Sequence, residues 1–320
     1  MKMKLRSIAT LGASLALAFA TTVASAETRV TFKAAKAGTS YYQMAVQIGE
    51  TVKKTSAGDI IVTVEESQGS VQNVMESAAR GKHYMFTSPP SLVDKAVAGE
   101  KPFDPEEATF KKIRALFPIP SLTMHYVVRD DAGIKTFADL AGKRFVTGKG
   151  SFGAAEAARN FKLFGLEGKI DVIDIELSGA GAAMKNRQVD GFATAGSWPA
   201  PNVVEVAASS PVHLLSMSDE QIKETGHSRM VIPKGTYPGM TEDIVTTSLP
   251  VISYALTDMD DATAYQLTRS YWQGLAEMAK TNPWWSGVLP SLLDNITVKL
   301  HPGALKYYIE AGIAVPDRLK

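Results

Sequence analysis

The sequence predicts an α/β fold of two similar lobes, each a mostly parallel sheet flanked by helices, joined by two crossover strands. The chain repeats one unit of strand, small-residue turn, helix, strand, small-residue turn, helix and strand, first in residues 29–87 and again in residues 143–194. Strands and helices that alternate at this spacing are typical of parallel sheets. Two long apolar runs, one after each copy, supply the two connections.

The first copy of the unit has strands at residues 29–32, 60–65 and 83–87. Its helices begin at Tyr41 and Val71, directly after the small-residue turns Gly38-Thr39-Ser40 and Gly69-Ser70. Apolar residues at helical spacing support the first helix, and Gly58 follows its end. We interpret these apolar stripes as core.

The second copy has strands at residues 143–146, 170–175 and 191–194, with helices from Ala154 and Ala180. The first crossover strand is predicted in the segment 113–129, where residues 122–128 have the pattern of a long strand, and the second at 246–256. Later helices are predicted at 260–281 and around 304–311. We expect these late helices to pack on the first lobe or to span both lobes. The predicted domains are therefore residues 27–122 with 247–320 as lobe 1, and 123–246 as lobe 2.

The first 26 residues predict a signal peptide. Three positive residues precede a mostly apolar stretch at 8–23, and Ala24-Ser25-Ala26 is an A-x-A cleavage site. A membrane anchor is the alternative, but the apolar stretch is short and rich in small residues. We expect cleavage after Ala26 and a periplasmic product.

Composition excludes several classes of function. The 320 residues contain no cysteine, so thiol nucleophiles, thiolate zinc sites and iron–sulfur clusters are excluded. A formal net charge of +1, with both signs interspersed, argues against nucleic acid as a partner. The five histidines are scattered without metal-ligand spacing, and we expect no metal and no cofactor.

The turns after the strands are the predicted ligand site. In open parallel sheets the ligand sits beyond the carboxyl ends of the strands, where the N–H groups of helix N-termini attract anions. We expect the hydroxyls of Thr39, Ser40, Ser70 and Ser151 to add donors. The alternative is that these residues only cap helices and form turns.

One loop also matches a dinucleotide-binding motif. Residues 148–153 read G-x-G-x-x-G between a strand and a helix, with Asp171 and Asp174 about 20 residues on. Its position at the start of the second lobe, with no catalytic acid or base evident nearby, favours a loop that cradles an anionic group. We therefore predict no enzyme activity; an exported enzyme on the same fold is the alternative.

Several short motifs resemble the TAXI family, the solute-binding subunits of a subclass of TRAP transporters. They are listed in chain order: Gly38-Thr39 with Tyr41-Tyr42, Gly69-Ser70-Val71 with Asn73, residues 140–144 and residues 232–239. The resemblance implies a periplasmic-binding-protein type II fold that captures a small carboxylate, an amino acid such as glutamate or a dicarboxylate. It implies delivery to a TRAP-type membrane permease. We expect a monomer; the binding protein of an ABC transporter is the alternative.

Two departures from the family pattern fall where the ligand would be recognised. The second-lobe loop of the family commonly reads G-S-G-T, whereas this chain has residues 150–154 as G-S-F-G-A, so a hydroxyl donor is lost at Ala154 and Phe152 adds bulk. The strand end at residues 85–90 also differs from the usual polar ending. The predicted ligand-binding residues are Thr39, Tyr41, Tyr42, Ser70, Asn73, Ser88, Gly150, Ser151, Gly153, Gly196 and Trp198. No catalytic residue is predicted.

Overall fold

The computed structural model describes residues 27–104 and 107–320, so the predicted signal peptide lies outside the described residues. These ranges contain ten strands: β1 Thr28–Lys33, β2 Ile60–Glu65, β3 Tyr84–Ser88, β4 Ile113–Arg129, β5 Arg144–Val146, β6 Asp171–Ile173, β7 Gly191–Gly196, β8 Val212–Leu214, β9 Ser228–Ile232 and β10 Ile244–Leu256. The predicted strands are all present, while β8 and β9 were not predicted.

The same ranges contain nine α-helices: α1 Ser40–Thr55, α2 Ser70–Ser77, α3 Pro90–Val97, α4 Phe152–Leu163, α5 Ala180–Lys185, α6 Pro201–Ser209, α7 Asp219–Thr225, α8 Asp261–Thr281 and α9 Pro302–Glu310. Short 3-10 helices cover Ala108–Lys112, Asp130–Ala132, Phe137–Leu140, Leu177–Gly179, Pro283–Gly287, Pro290–Asn295 and Asp317–Leu319. None of the described helices has both the length and the apolar character needed to cross a bilayer.

All ten strands belong to one sheet, whose main order is β2-β1-β3-β10-β4-β7-β5-β6. The first block, β2-β1-β3, and the second block, β6-β5-β7, are both parallel and have their strands in the same order. The predicted internal duplication is therefore confirmed by topology. The two crossover strands, β4 and β10, lie between the blocks and run antiparallel to their neighbours.

The crossover strands join the two blocks through each other: β10 pairs with β3 of the first block, β4 pairs with β7 of the second, and β4 pairs with β10. The first part of β4 pairs with β10, and its last part pairs with β7 and β8. Pairing between β4 and β10 is interrupted between Leu249 and Val251, so Pro250 lies opposite Pro120 and Ser121 without a register partner. Proline has no N–H to give to a ladder, which explains the irregularity at this point.

The late helices α8 and α9 pack on the side of the first block. Tyr271 of α8 donates a hydrogen bond to the Pro118 carbonyl at 2.7 Å, and Tyr308 of α9 donates one to the Leu116 carbonyl at 3.1 Å. The indole N–H of Trp285 reaches the side-chain oxygen of Gln47 in α1 at 2.7 Å. Of the two predicted placements, packing on the first lobe is the one observed.

The hydrophobic core is not split at the domain boundaries that were predicted from the sequence. Its larger cluster contains Phe32 and Phe86 of the first block together with Phe145 and Phe161 of the second part of the chain. A smaller cluster lies wholly within residues 127–244. The proposed boundaries at 122/123 and 246/247 both fall inside continuous strands, and the two-domain division stays a prediction.

Candidate functional site

A cavity of about 330 Å³ lies between the two blocks, at the carboxyl ends of their strands. Its first wall comprises Ala34, Ala35, Lys36, Ala37, Gly38, Thr39, Tyr41, Gln68, Gly69, Ser70 and Thr87. Its second wall comprises Gly148, Lys149, Ser151, Phe152, Gly153, Glu176, Leu177, Ser178, Ala180, Gly181, Ala182, Phe192, Ala195, Asn202, Glu205 and Val206. Leu122 of β4 and Val251 of β10 complete the lining. The duplicated turns therefore face one shared space, as the parallel-sheet rule leads one to expect.

Thr39 and Ser151 line this cavity in equivalent positions of the two copies. The Thr39 hydroxyl donates to the Lys36 carbonyl at 2.7 Å and accepts from the Tyr42 amide at 3.3 Å. The Ser151 hydroxyl donates to the Gly148 carbonyl at 2.8 Å and accepts from the Ala154 amide at 3.0 Å. Both side chains cap a helix, so their hydroxyl protons are used within the chain.

Backbone amides are the free donors at these turns. The N–H groups of Tyr41, Ser70, Phe152 and Gly153 have no hydrogen-bond partner within residues 27–104 and 107–320. Each belongs to a cavity-lining residue in the first turn of α1, α2 or α4, where no carbonyl of the same helix can be reached. Three helix N-termini thus bring unpaired donors and positive dipole ends to both walls.

Of the two neighbouring tyrosines, Tyr41 lines the cavity and Tyr42 does not. Tyr41 is only 7% exposed, and its hydroxyl donates to the Pro120 carbonyl on β4 at 3.0 Å. Burial raises the pKa of this phenol well above its usual value. The Tyr41 side chain is therefore a fixed, uncharged part of the first wall, next to the crossover strands.

Asn73 and Ser88 lie one layer below the cavity surface, and both are fully buried. The Asn73 amide donates to the carbonyls of Ala34 at 2.7 Å and Thr87 at 2.8 Å, two residues that line the first wall. Ser88 is hydrogen-bonded to the Ser70 carbonyl at 3.1 Å and to the Tyr254 hydroxyl at 3.2 Å. Both residues hold the first wall in place rather than face the cavity.

The three other predicted residues also lie outside the lining. Gly150 has a φ of +69°, which suits a turn glycine. Gly196 ends β7 against α1, where a Cβ would lie 2.7 Å from the Ser40 hydroxyl oxygen. Trp198 is half-buried and packs against the smaller hydrophobic cluster. The ligand-binding roles assigned from the sequence, including those of Thr39, Tyr41, Ser70, Ser151 and Gly153, stay predictions.

Helix α6 brings three lining residues that the sequence did not indicate: Asn202, Glu205 and Val206. A signal for this helix was present, because Pro201 occupies its first turn, the position that proline favours. A buried network fixes the helix start. The Ala200 amide donates to the Tyr237 hydroxyl at 2.8 Å, and that hydroxyl lies 2.7 Å from Nε2 of His125.

The histidine of this network is neutral. Nδ1 of His125 lies 3.1 Å from the Thr123 carbonyl, which can only accept, so Nδ1 carries the proton and Nε2 accepts from Tyr237. Burial lowers the pKa of His125 to about 4, against the opposing effect of hydrogen bonds to the Thr123 and Thr194 backbone. Tyr237 belongs to the 232–239 motif, which gives that motif a structural role behind the second wall.

The charges of the lining are unevenly distributed. On the first wall Lys36 is the charged residue, and its amine has no partner among the described residues. The second wall carries Glu176, Glu205 and Lys149, and the amine of Lys149 forms an exposed ion pair with Asp174 at 2.7 Å. The hydrogen bond to Asp174 raises the pKa of Lys149. Asp171 and Asp174, the acids of the dinucleotide motif, are not in the lining.

Comparison with known proteins identifies the family. The model of the NMT1-like family matches residues 32–312. This chain belongs to the NMT1-like family. Among solved structures, the periplasmic binding protein BugD aligns with 90% of this chain and 99% of its own at 14% identity, with a TM-score of 0.57. A structure described as a periplasmic transporter aligns with 83% of this chain and 86% of its own at 11% identity, with a TM-score of 0.54.

A third structure is the periplasmic aliphatic sulphonate-binding protein SsuA from Escherichia coli, which aligns with 91% of this chain and 90% of its own at 14% identity, with a TM-score of 0.46. BugD and the periplasmic transporter share the fold of this NMT1-like protein. The predicted periplasmic-binding-protein architecture is therefore confirmed.

Proposed function

We propose that this NMT1-like protein is a periplasmic solute-binding protein that captures a small carboxylate in the cavity between its two blocks. The observation that carries the proposal is the set of unpaired amides on both walls, contributed by the N-termini of α1, α2 and α4. Such amides bind an anion without any side-chain charge, and helix dipoles add to the attraction.

Binding in this proposal uses the main chain more than the predicted hydroxyls. Thr39 and Ser151 shape the turns as caps, while the amides of Tyr41 and Ser70 on one wall and Gly153 on the other donate to the solute. Closure of the two blocks about β4 and β10 then buries the solute. We assign no residue a catalytic role, and the site calls for neither a cofactor nor a metal.

The partner proposed for the loaded protein is a TRAP-type permease of the TAXI subclass, on the basis of the motif resemblance. The closed form would present its two lobes to the permease as one surface. Uptake of the solute by native membrane vesicles, with and without this protein, is the test. Uptake that needs this protein and an ion gradient supports the proposal, whereas uptake that needs ATP hydrolysis would assign the protein to an ABC transporter.

Isothermal titration calorimetry with matched pairs of solutes tests the binding proposal itself. Each pair comprises a carboxylate and its primary amide, which have nearly the same size but differ in charge. We expect the carboxylate member to bind and the amide to bind at least about tenfold more weakly, since charge-assisted hydrogen bonds are about twice as strong as neutral ones. Failure of every carboxylate to bind, or equal binding of the amides, would refute the proposal.

A further inference from the structure

We infer that the solute has a single carboxylate and an apolar body, and that the cavity discriminates against dicarboxylates. This inference rests on the proposed function and narrows its ligand class. Two features of the structure support it. One is the distribution of charge on the two walls, and the other is the set of apolar side chains that line the second wall and the crossover strands.

The two walls differ in the charge they offer a second carboxylate. The first wall has Lys36 and no acidic residue among the described residues that line it. The second wall has Glu176 and Glu205, while the only lysine there, Lys149, is already paired with Asp174. The first carboxylate takes its amides from the helix N-termini, Gly153 included. A second carboxylate, directed at the part of the second wall formed by Glu176 and Glu205, would meet like charge, and like charges brought together at an interface weaken binding strongly.

The carboxylate is best accommodated by the first wall. Helices α1 and α2 have 16 and 8 residues, and both place their N-termini there. The Lys36 amine, which has no partner among the described residues, adds a positive charge to the same wall. Unpaired amides, helix dipoles and a free amine therefore all favour an anion on this side of the cavity.

The remainder of the lining suits a hydrocarbon chain. Phe152, Leu177, Phe192 and Val206 belong to the second wall, and Leu122 and Val251 come from the crossover strands. Phe152 follows the cap of α4 directly and is 9% exposed, so its ring is a largely buried part of this apolar surface. Each methylene buried against such surfaces strengthens binding by about fourfold.

Two pairs of six-carbon acids test the inference, because the members of each pair differ only by a terminal methyl or carboxylate. Hexanoate is compared with adipate, and norleucine with 2-aminoadipate; the second pair adds an α-ammonium group. We expect the monocarboxylate of at least one pair to bind at least about tenfold more tightly than its dicarboxylate partner. Preference for hexanoate or for norleucine then tells whether the solute is a simple acid or an amino acid.

Substitution of the second-wall acids links the preference to the residues responsible. In the double variant Glu176→Gln, Glu205→Gln we expect the preference to fall at least about threefold, mainly because adipate or 2-aminoadipate gains affinity. Glu50→Gln, an exposed acid of α1 outside the cavity, is the matched control. Dicarboxylates that bind wild type as tightly as monocarboxylates, or a preference unchanged in the double variant, would overturn the inference alone. Absence of binding by all four acids would overturn the proposed function as well.

Discussion

A backbone amide can be deleted from this site with little expected disturbance of the fold, because one of the unpaired amides belongs to the first residue of a helix. Ser70 is the first residue of α2, directly after Gly69. Proline is favoured at this helical position, since its fixed φ suits the helix and its missing N–H has no partner there. Ser70→Pro therefore removes the proposed anion donor and no hydrogen bond donated by that amide within the described chain.

The expected effect follows from the bonds that remain. The Asn73 amide still donates to the Gly69 carbonyl at 3.0 Å, and Ser88 still reaches the Ser70 carbonyl at 3.1 Å. We therefore expect little change in the free energy of unfolding. A hydrogen bond to a charged group contributes about 1.5–3 kcal/mol, so its loss should weaken carboxylate binding by about ten- to hundredfold.

Calorimetry on two variants at the same position separates the amide from the hydroxyl. Ser70→Ala keeps the N–H and removes a hydroxyl that has no hydrogen bond in the described chain, so binding should change by less than about threefold. Thermal unfolding of both variants serves as the control for folding. If Ser70→Pro folds like wild type and binds a carboxylate as tightly as Ser70→Ala, the α2 amide does not hold the anion and the reasoning is wrong.

Two further predictions concern the contact between the blocks and the buried histidine. Gly196→Ala would place a methyl 2.7 Å from the Ser40 hydroxyl oxygen, which accepts from the Ser197 amide at 3.0 Å. Calorimetry should show that Gly196→Ala binds a carboxylate about tenfold more weakly than wild type. Adding Ser40→Ala should restore the affinity, and a double variant that still binds weakly would contradict a steric cause. His125 stays neutral in the fold down to pH of about 4, whereas the unfolded chain takes up this proton near pH 6.5. The contribution of His125 to the free energy of unfolding is therefore fully present above pH 6.5 and is lost as the pH falls toward 4. At pH 5 the loss is about 2 kcal/mol. Urea denaturation at pH 8 and at pH 5 measures this loss as a difference in the free energy of unfolding. In the variant His125→Gln that difference should be smaller.

Long and strongly patterned elements could be predicted from the sequence. The predicted bounds of β2 agree with the structure, and the long strand predicted at 122–128 lies within β4, because apolar runs leave few alternatives. Strands β8 and β9 were missed. β8 has three residues and exists by pairing with the end of β4, and β9 pairs with the start of β10, so tertiary contact rather than local pattern creates them.

The site was predictable where it depends on the rule that ligands lie beyond strand ends. Thr39, Tyr41, Ser70, Ser151 and Gly153 were placed at the cavity by that rule, and the structure puts them in its lining. Their role in binding stays a prediction.

Depth within a wall was not predictable from the sequence. Asn73 and Ser88 follow the same turns and strands but lie beneath the lining, since depth depends on how α2 packs against β1 and β3. Lys36 and Glu205 were not predicted because their positions depend on the tertiary path of a loop and of the unpredicted helix α6.

The pair of prolines at the crossing of β4 and β10 has a mechanical consequence. Neither Pro120 nor Pro250 has an amide hydrogen, so this place on each strand contributes no ladder bond that rotation of one block against the other must break. Bending concentrated here would leave the regular pairing on either side intact. In the proposed closure, the solute would therefore not have to compensate for ladder bonds broken at this point.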